Sequence, residues 1–228
     1  MLLKIKLITA FTIIISICSF SQTKIPLNHS VYDHWKDLNG NIISNDGNWV
    51  SYEINPQKGD GLLFLYNSIS ETKDSIERGN GAKFSPSNNF LAYYIKSPYD
   101  TIRQAKIDKC KPDEMPKSNL EIFILNTKTR KLIERVKSFN LPKEQGNFIC
   151  LLHEEPLPVK DTSEVKKKKR RKAKNKNKGT ELKIYFPDDD RTYSFNDIIE
   201  YQISNNGKYV TAIESKKDSI ETTRIILF

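Results

Sequence analysis

The sequence of 228 residues predicts an all-β protein assembled from repeated units, and three observations support this fold class. The first is a turn followed by an apolar strand, a pair that recurs along the chain. The second is the spacing of these stretches, which is nearly constant in one half of each unit. The third is the presence of apolar side chains on both faces of the recurring strand, which a sheet covered on both sides requires.

The recurring stretch places a turn residue two positions before an aromatic residue. The stretches are ISNDGNWVSYEI from Ile43, FSPSNNFLAYYI from Phe84, LPKEQGNFICLL from Leu141 and ISNNGKYVTAIE from Ile203. The turn residues are Gly47, Asn88, Gly146 and Gly207, and the aromatic residues are Trp49, Phe90, Phe148 and Tyr209. Glycine, asparagine, aspartate and serine supply the backbone angles of tight turns, and the aromatic, β-branched run that follows suits a strand.

A second apolar strand follows each stretch, and the spacing indicates a true repeat. The second strands are centred on Phe64, Phe123, Tyr185 and Ile225. The intervals from turn to second strand are 17, 35, 39 and 18 residues, whereas those from second strand to the next turn are 24, 23 and 22. Units of about 41 residues made of short strands are typical of β-propeller blades. Residues 41–228 are therefore predicted to form a partial β-propeller of about three to four WD40-like or PD40-like blades.

The apolar strand that follows each recurring turn, which we call the marked strand, is apolar on both faces. In the second unit, one face carries Phe90, Ala92 and Tyr94, and the other carries Leu91, Tyr93 and Ile95. A blade that lies between two other blades needs this double burial, whereas a one-sided sheet would alternate with polar residues. A β-sandwich is the main alternative, but its strands need not repeat at a fixed unit length.

The N-terminus, MLLKIKLITAFTIIISICSFSQ, has the pattern of a cleaved secretory signal. Lys4 and Lys6 precede an apolar run, and Ser21 provides the small residue before a cut at Gln22. The run is shorter than the roughly 20 residues of a transmembrane helix. Residues 1–21 are therefore predicted to be a signal peptide of a secreted or periplasmic protein, without a transmembrane anchor after cleavage. A lipoprotein would use Cys18, but the preceding residue is not small.

Residues 22–40 are predicted to be an N-terminal extension with a short helix in HSVYDHWKDLNG. Ser30 would cap this helix, Asp33 would complete a capping box, and Gly40 would end it.

The sequence predicts no metal or cofactor site. His29 and His34 are five residues apart and do not share a helix face, and His153 is the remaining histidine. Cys110 and Cys150 would remain after signal cleavage, and an oxidising compartment would permit a disulfide between them. However, Cys150 lies in the apolar stretch FICLL, where a free thiol behaves as a small hydrophobe.

The basic charge of the chain is local. Residues 166–178 read KKKKRRKAKNKNK and hold ten basic residues, so the net charge of +9 becomes −1 without them. A nucleic-acid-binding protein usually spreads basic residues over a folded face, so no specific nucleic-acid partner is predicted. Pro156, Pro158 and the charge density predict a disordered insertion at 156–179, and it falls at the same point of the unit as an insertion at 97–119.

Deletion of residues 156–179 should change the thermal unfolding midpoint by a few degrees at most, because no apolar surface is removed. Differential scanning calorimetry of the deletion variant beside the intact chain measures this. A fall of many degrees would show that the insertion packs against the rest of the protein.

The opening LNHSVYDHWKDLNGNIISNDGNWVSYEI, with the blade stretches that follow, resembles the N-terminal region of exported bacterial prolyl oligopeptidase-like serine peptidases, the S9 family. Tyr32, Asp33 and Trp35 carry the most specific part of the resemblance, and the lysine-rich insertion is similar to that of some members. Family members join a propeller to an α/β-hydrolase domain with a Ser–Asp–His triad, whose serine lies in G-x-S-x-G. The resemblance implies that the propeller gates the access of peptides to that hydrolase domain.

No serine of this chain has glycine two residues before and two residues after it, and no histidine follows His153. No catalytic residue of the family can therefore be assigned, and a peptide substrate is expected only through a hydrolase domain that the 228 residues lack. Because the sequence ends in a predicted strand, we expect a leading fragment that self-associates through open blade edges. The alternatives are an exported propeller-type binding module for protein or glycan, and polyanion binding through the lysine-rich loop.

Overall fold

The computed structural model describes residues 29–32, 35–155, 179–215 and, by their backbone, 221–227. The chain divides into two units, Met1–His34 and Trp35–Phe228. In the first unit the described element is the short helix α1 (His29–Tyr32). The predicted signal peptide lies outside the described residues. Within the described ranges, no helix has the length and apolar character needed to cross a membrane.

The second unit is built almost entirely of antiparallel strands, in agreement with the predicted all-β class. The strands are β1 (Lys36–Ile43), β2 (Trp49–Pro56), β3 (Leu62–Asn67), β4 (Thr72–Glu77), β5 (Gly79–Phe84), β6 (Phe90–Ile95), β7 (Asn119–Ile124), β8 (Thr129–Ile133), β9 (Val136–Asn140), β10 (Ile149–His153), β11 (Thr180–Phe186), β12 (Arg191–Ile203), β13 (Tyr209–Ser215) and β14 (Glu221–Leu227). One helix, α2 (Tyr99–Ile107), lies between β6 and β7.

The strands form sheets that correspond to propeller blades. Two sheets have four strands each, in the orders β1-β2-β3-β4 and β5-β6-β7-β8, and we call them blade 1 and blade 2. The third sheet has six strands and runs from β9 to β14 in chain order. Strand β12 belongs to two blades, because its first half pairs with β11, its second half pairs with β13, and both ladders shift register near Ile198. Blade 3 is thus β9, β10, β11 and the first half of β12, and blade 4 is the rest.

The predicted repeat matches these blades. The marked strand is the second strand of every blade (β2, β6, β10 and β13), and the second apolar strand is the third (β3, β7, β11 and β14). The constant interval contains the fourth strand and the first strand of the next blade. The variable interval is the connection between second and third strands, which holds α2 in blade 2 and residues 154–179 in blade 3. The partial β-propeller prediction is confirmed.

The turn before the marked strand is closed by a serine that the sequence interpretation missed. In blades 1, 2 and 4 the backbone N–H of the aromatic residue donates to this hydroxyl. The N–Oγ distances are 2.9 Å for Trp49 to Ser44, 3.2 Å for Phe90 to Ser85 and 3.0 Å for Tyr209 to Ser204. The serine is visible in ISND, FSPS and ISNN, so this signal was available in the sequence. Blade 3 has LPKEQG instead, and its turn is not of this kind.

Consecutive turns are also hydrogen-bonded to one another, so they form a continuous row along one end of the blades, which we call the turn face. The contacts are Asn45 N–H to Asn88 Oδ1 (2.9 Å), Ser87 Oγ to Asn147 Oδ1 (2.8 Å) and Glu144 N–H to the Asn205 carbonyl (3.0 Å). These bonds fix the spacing of neighbouring blades at their turn ends.

Apolar clusters lie between consecutive blades and form the core. Leu91 and Tyr93 of β6 pack towards blade 1, in a cluster that includes Leu63. Phe90 and Ala92, on the other face of the same strand, pack towards blade 3. A third cluster joins the other face of blade 3 to blade 4. The predicted double burial of the marked strand is therefore confirmed.

The predicted extent of the N-terminal helix is wrong. Helix α1 ends at Tyr32, and strand β1 begins at Lys36, before the predicted propeller boundary at residue 41. Gly40, expected to end the helix, lies at a bulge in β1 with a φ of 57°. An added Cβ there would lie 2.6 Å from Glu53 Oε1. Pairing with β2 satisfies the backbone hydrogen-bonding groups of residues 36–43, whereas a short isolated helix is only marginally stable in water.

A second repeat is present in the backbone angles. Residues with positive φ occupy the turn between third and fourth strands and the crossover to the next blade, seven residues apart in each case: Glu71 and Arg78, Lys128 and Arg135, Asp190 and Asp197. The sequence interpretation missed this repeat because none of the six is glycine, and four of them are glutamate, lysine or arginine, which do not favour such angles.

Candidate functional site

The crossovers between blades and the connections between second and third strands lie at the end of the blades opposite the turn face, because neighbouring strands are antiparallel. Two hydrogen bonds show this directly: Lys96 N–H donates to the Arg78 carbonyl at 3.0 Å, and Glu154 N–H donates to the Arg135 carbonyl at 2.9 Å. Both insertions therefore emerge on this end, which we call the insertion face.

A groove of about 890 Å³ opens on the insertion face at blade 3. It is lined by four segments: residues 132–135 before β9, residues 153–155 at the end of β10, residues 179–181 with Lys183 at the start of β11, and Asn196 with Asp197 at the bend of β12. Glu155 and Gly179, which flank residues 156–178 in the chain, are both among the lining residues. The lysine-rich insertion is thus attached to the rim of this groove at both ends.

Most charges of the groove are engaged within the protein. Glu154 accepts from Lys117 at 3.5 Å, and both side chains are about four-fifths buried. The Lys183 ammonium lies 3.3 Å from Glu181, and the Arg135 guanidinium donates to the Glu155 carbonyl at 2.8 Å. The lining residues include neither serine nor cysteine, so the groove offers no serine or thiol nucleophile. The lining combines charged side chains with the apolar Leu132 and Ile133.

His153 lies in the groove wall at the end of β10 and is half-buried. Burial lowers its pKa, and the nearby Lys183 ammonium lowers it further, while Glu181 and a hydrogen bond with the Glu134 backbone act in the opposite direction. Its Nε2 atom is buried and has no hydrogen-bond partner among the described residues. Both observations favour the neutral imidazole in the folded protein.

We expect the free energy of unfolding to fall as the pH is lowered from 7 to 5, and His153→Gln to reduce this dependence. Below the ordinary histidine pKa of about 6.5, the unfolded chain takes up a proton that the folded chain does not, which favours unfolding. Urea titrations at several pH values for both proteins measure the difference in slope. Equal slopes would show that His153 titrates alike in the folded and unfolded states.

A polar row crosses the first strands of blades 2, 3 and 4, the strands that line the axis of a propeller. The Lys83 ammonium donates to Asn140 Oδ1 at 3.1 Å, Asn140 Nδ2 donates to the Tyr201 hydroxyl at 3.3 Å, and Tyr201 donates to the Cys150 carbonyl at 3.2 Å. Burial lowers the pKa of Lys83. The row presents an amine and an amide along the inner strands of these blades.

The cysteines and histidines are dispersed. Cys150 is a buried free thiol in β10, where burial raises its pKa and makes it unreactive, and Cys110 is a free thiol after α2. His29 belongs to α1 and His153 to β10, whereas His34 lies outside the described residues. Among the residues that the structure describes, no group of three or more histidine, cysteine, aspartate or glutamate side chains is placed to hold a metal.

The predicted disordered insertion, 156–179, lies outside the described residues except for its last residue. Gly179 is buried, and a Cβ added to it would overlap the backbone of Asp197. The insertion therefore ends at residue 178, and a deletion that tests it should retain Gly179.

No family model matches the chain, and no curated protein matches it significantly. Solved structures do match it. Acylaminoacyl peptidase from Pyrococcus horikoshii, in its uncomplexed form, has a TM-score of 0.50 and 10% identity, covering 89% of this chain and 33% of that chain. A prolyl endopeptidase has a TM-score of 0.49 and 13% identity, covering 92% and 32%. The β-propeller domain of the trilobed protease from Pyrococcus furiosus has 0.47 and 11%, covering 84% and 54%.

These matches concern the fold, since the identities are low. The chain spans about a third to a half of the length of these solved structures. The similar structures include propeller domains of peptidases, in agreement with the resemblance noted in the sequence. The strand order, the shared strand β12 and the apolar clusters between blades agree with the match to acylaminoacyl peptidase on the fold: the chain is a partial β-propeller.

Proposed function

We propose that the chain is the N-terminal propeller part of an exported prolyl oligopeptidase-like serine peptidase, and that it gates the access of peptides to a hydrolase domain outside the 228 residues. The observation that carries the proposal is the match to acylaminoacyl peptidase, which covers 89% of this chain but 33% of that one. The opening with Tyr32, Asp33 and Trp35 supports the same assignment. In this proposal the propeller supplies access and the hydrolase domain supplies the chemistry.

The two surfaces described above suit a gating role. Most charges of the insertion-face groove are engaged within the protein, so a peptide that contacts the groove must compete with these existing contacts and is held weakly. The polar row of Lys83, Asn140 and Tyr201 lies on the inner strands, where a peptide that enters along the axis would pass. Weak polar contacts along a route allow passage, whereas a deep apolar pocket would retain the peptide.

Two experiments test the proposal. The purified chain should not cleave proline-containing chromogenic peptides, because acyl transfer requires a nucleophile, a base and oxyanion donors in one place. The coding region after the codon for Phe228 should continue into, or lie beside, a frame that encodes G-x-S-x-G followed by aspartate and histidine. A stop codon followed by unrelated sequence would contradict the assignment, as would turnover by the purified chain.

A second candidate is an exported binding module for protein or glycan, which the groove of about 890 Å³ favours. Polyanion binding through residues 166–178 is a variant of this candidate, since that segment holds ten basic residues. Binding to a polyanion that weakens steeply with salt and is lost when these residues are deleted would support it. Salt-independent or absent binding would exclude it.

A further inference from the structure

A second, smaller pocket of about 360 Å³ opens on the insertion face between blades 2 and 3. Its walls come from β5 and β6 of blade 2, from residues 116–118 before β7, and from β9 of blade 3. Glu154 lines both this pocket and the larger groove. Both flanking blades belong to the described part of the chain, so these walls do not depend on any further blade. We call this space the interblade pocket.

Contacts between the two blades hold the walls of the interblade pocket in place. The Val136 N–H on β9 donates to the Ser118 carbonyl at 3.2 Å, which joins the segment before β7 to blade 3. The rings of Tyr94 and Phe139 meet edge to face across the blades, with centroids 4.8 Å apart. The pocket is therefore formed without a ligand, as is usual for binding sites of small groups.

The interblade pocket carries an excess of positive charge. Its charged lining residues are Lys96, Lys117, Lys137 and Glu154. The Lys117 ammonium lies 3.5 Å from the Glu154 carboxylate and also donates to the Pro112 carbonyl. Lys96 and Lys137 are exposed, and neither has an ion-pair partner among the described residues. Two ammonium groups that line one pocket repel each other, and an anion bound between them relieves this repulsion.

Asn80 adds an unsatisfied hydrogen-bonding group to the same pocket. It pairs with Tyr94 across β5 and β6, and its Oδ1 atom is buried without a hydrogen-bond partner among the described residues. A buried acceptor that lacks a donor is costly, so a ligand that supplies an N–H gains affinity. Inorganic sulfate or phosphate has no N–H, whereas a peptide carries one on the same residue as its carboxylate. The combination of ammonium groups and an amide acceptor therefore favours a peptide carboxylate.

We propose that the interblade pocket binds a carboxylate group of a peptide. In this arrangement the ammonium groups of Lys96 and Lys137 bind the carboxylate, and Asn80 Oδ1 accepts a backbone N–H of the same peptide. The carboxylate belongs to the C-terminus or to an acidic side chain, since both place the same charge close to a backbone N–H. The proposal rests on the proposed function, because the passage of peptides brings this ligand to the insertion face. It adds a preference for peptides with a carboxylate over neutral ones.

Isothermal titration calorimetry of the full 228-residue chain with three matched peptides tests the proposal. Each is an acetylated pentapeptide of alanine with a central proline. The first is neutral because its C-terminus is amidated, the second has a free C-terminal carboxylate, and the third is amidated but has aspartate before the proline. At least one acidic peptide should bind about tenfold or more tightly than the neutral one, because charge-assisted hydrogen bonds replace contacts with water. The acidic peptide that binds more tightly identifies the source of the carboxylate.

A pair of double variants separates the pocket from general attraction between opposite charges. Lys96→Met with Lys137→Met removes both charges but retains the apolar stems, and it should abolish the preference for the acidic peptides. The matched control is Lys143→Met with Lys208→Met, which removes two exposed lysines of the turn face and should leave the preference unchanged. Asn80→Asp should weaken binding of the acidic peptides about tenfold or more, because it adds a negative charge to the pocket. Circular dichroism checks that each variant stays folded.

Equal binding of neutral and acidic peptides would overturn the proposal. An equal loss in the two double variants would also overturn it, since the attraction would then come from the overall charge. Sulfate that binds as tightly as the acidic peptide would overturn the assigned role of Asn80. These titrations involve no turnover and no sequence beyond Phe228. A failure here would therefore remove the carboxylate preference, whereas failure of the proposed function would appear in the coding region and in the cleavage assay.

Discussion

Replacing Leu120 by alanine should lower the free energy of unfolding by about 2 to 5 kcal/mol, and Leu91→Ala should do the same. Both side chains are fully buried, but they lie on opposite faces of blade 2. Leu120 belongs to the cluster with blade 3, and Leu91 belongs to the cluster with blade 1. Each substitution leaves a cavity between two blades, which the surrounding strands can close only in part.

Urea denaturation followed by tryptophan fluorescence measures both values, and Leu132→Ala is the matched control. Leu132 is on strand β8 of the same blade and is 55% exposed, so its truncation should cost less than about 0.5 kcal/mol. A large loss for one core leucine and a small loss for the other would mean that only one face of blade 2 is covered. That result would contradict the propeller and favour a sandwich.

Gly207→Ala should destabilise the protein by about 3 kcal/mol or more, whereas Gly47→Ala should cost about 1 kcal/mol. The two glycines occupy the same position of the repeated turn, with φ values of 67° and 73°. Any residue with a Cβ atom has a strained backbone conformation at such angles. At Gly47 an added Cβ meets nothing within 4 Å, whereas at Gly207 it would overlap the Gln145 carbonyl oxygen of the neighbouring turn.

Thermal and urea unfolding of the two variants measure the difference between their losses of stability. Because both glycines occupy the same position of the turn, the backbone strain is similar in the two variants, and the difference reports the contact between consecutive turns. Equal losses would show that the row of turns on the turn face does not hold blades 3 and 4 together. A larger loss of stability for Gly47→Ala than for Gly207→Ala would contradict the close contact assigned to Gly207.

The repeat could be predicted from the sequence because its signals are local. Turn residues and the aromatic position next but one, such as Asn88 with Phe90, depend on a few neighbouring backbone angles. The constant spacing follows from topology, because the fourth strand and the next first strand form a short, uninterrupted connection. These features needed no knowledge of distant contacts.

The start of blade 1 could not be predicted in the same way. Residues 36–40 have a composition compatible with a helix end, and pairing with β2 overrides that local preference. The positive φ angles at Arg78 and Arg135 are likewise imposed by the crossover between blades and not by residue type. The shared strand β12 is another case, since its bend near Ile198 depends on pairing with strands from two blades.

The candidate site depended even more on distant contacts. The sequence located the lysine-rich insertion but gave no indication that Glu155 and Gly179 would line one groove with residues 132–135. Likewise, the row from Lys83 to Tyr201 joins residues of three blades that are far apart in the chain. Only the packing of blades brings these side chains together.

Labelling of the native protein with a fluorophosphonate probe tests the central claim most directly. An antibody raised against the chain should capture, from the secreted or periplasmic fraction of the native host, a polypeptide that reacts with this serine-hydrolase probe. The labelled polypeptide should be larger than the 26.4 kDa of the chain, because the serine belongs to the hydrolase domain. Capture of an unlabelled polypeptide no larger than the chain would contradict the assignment to a peptidase.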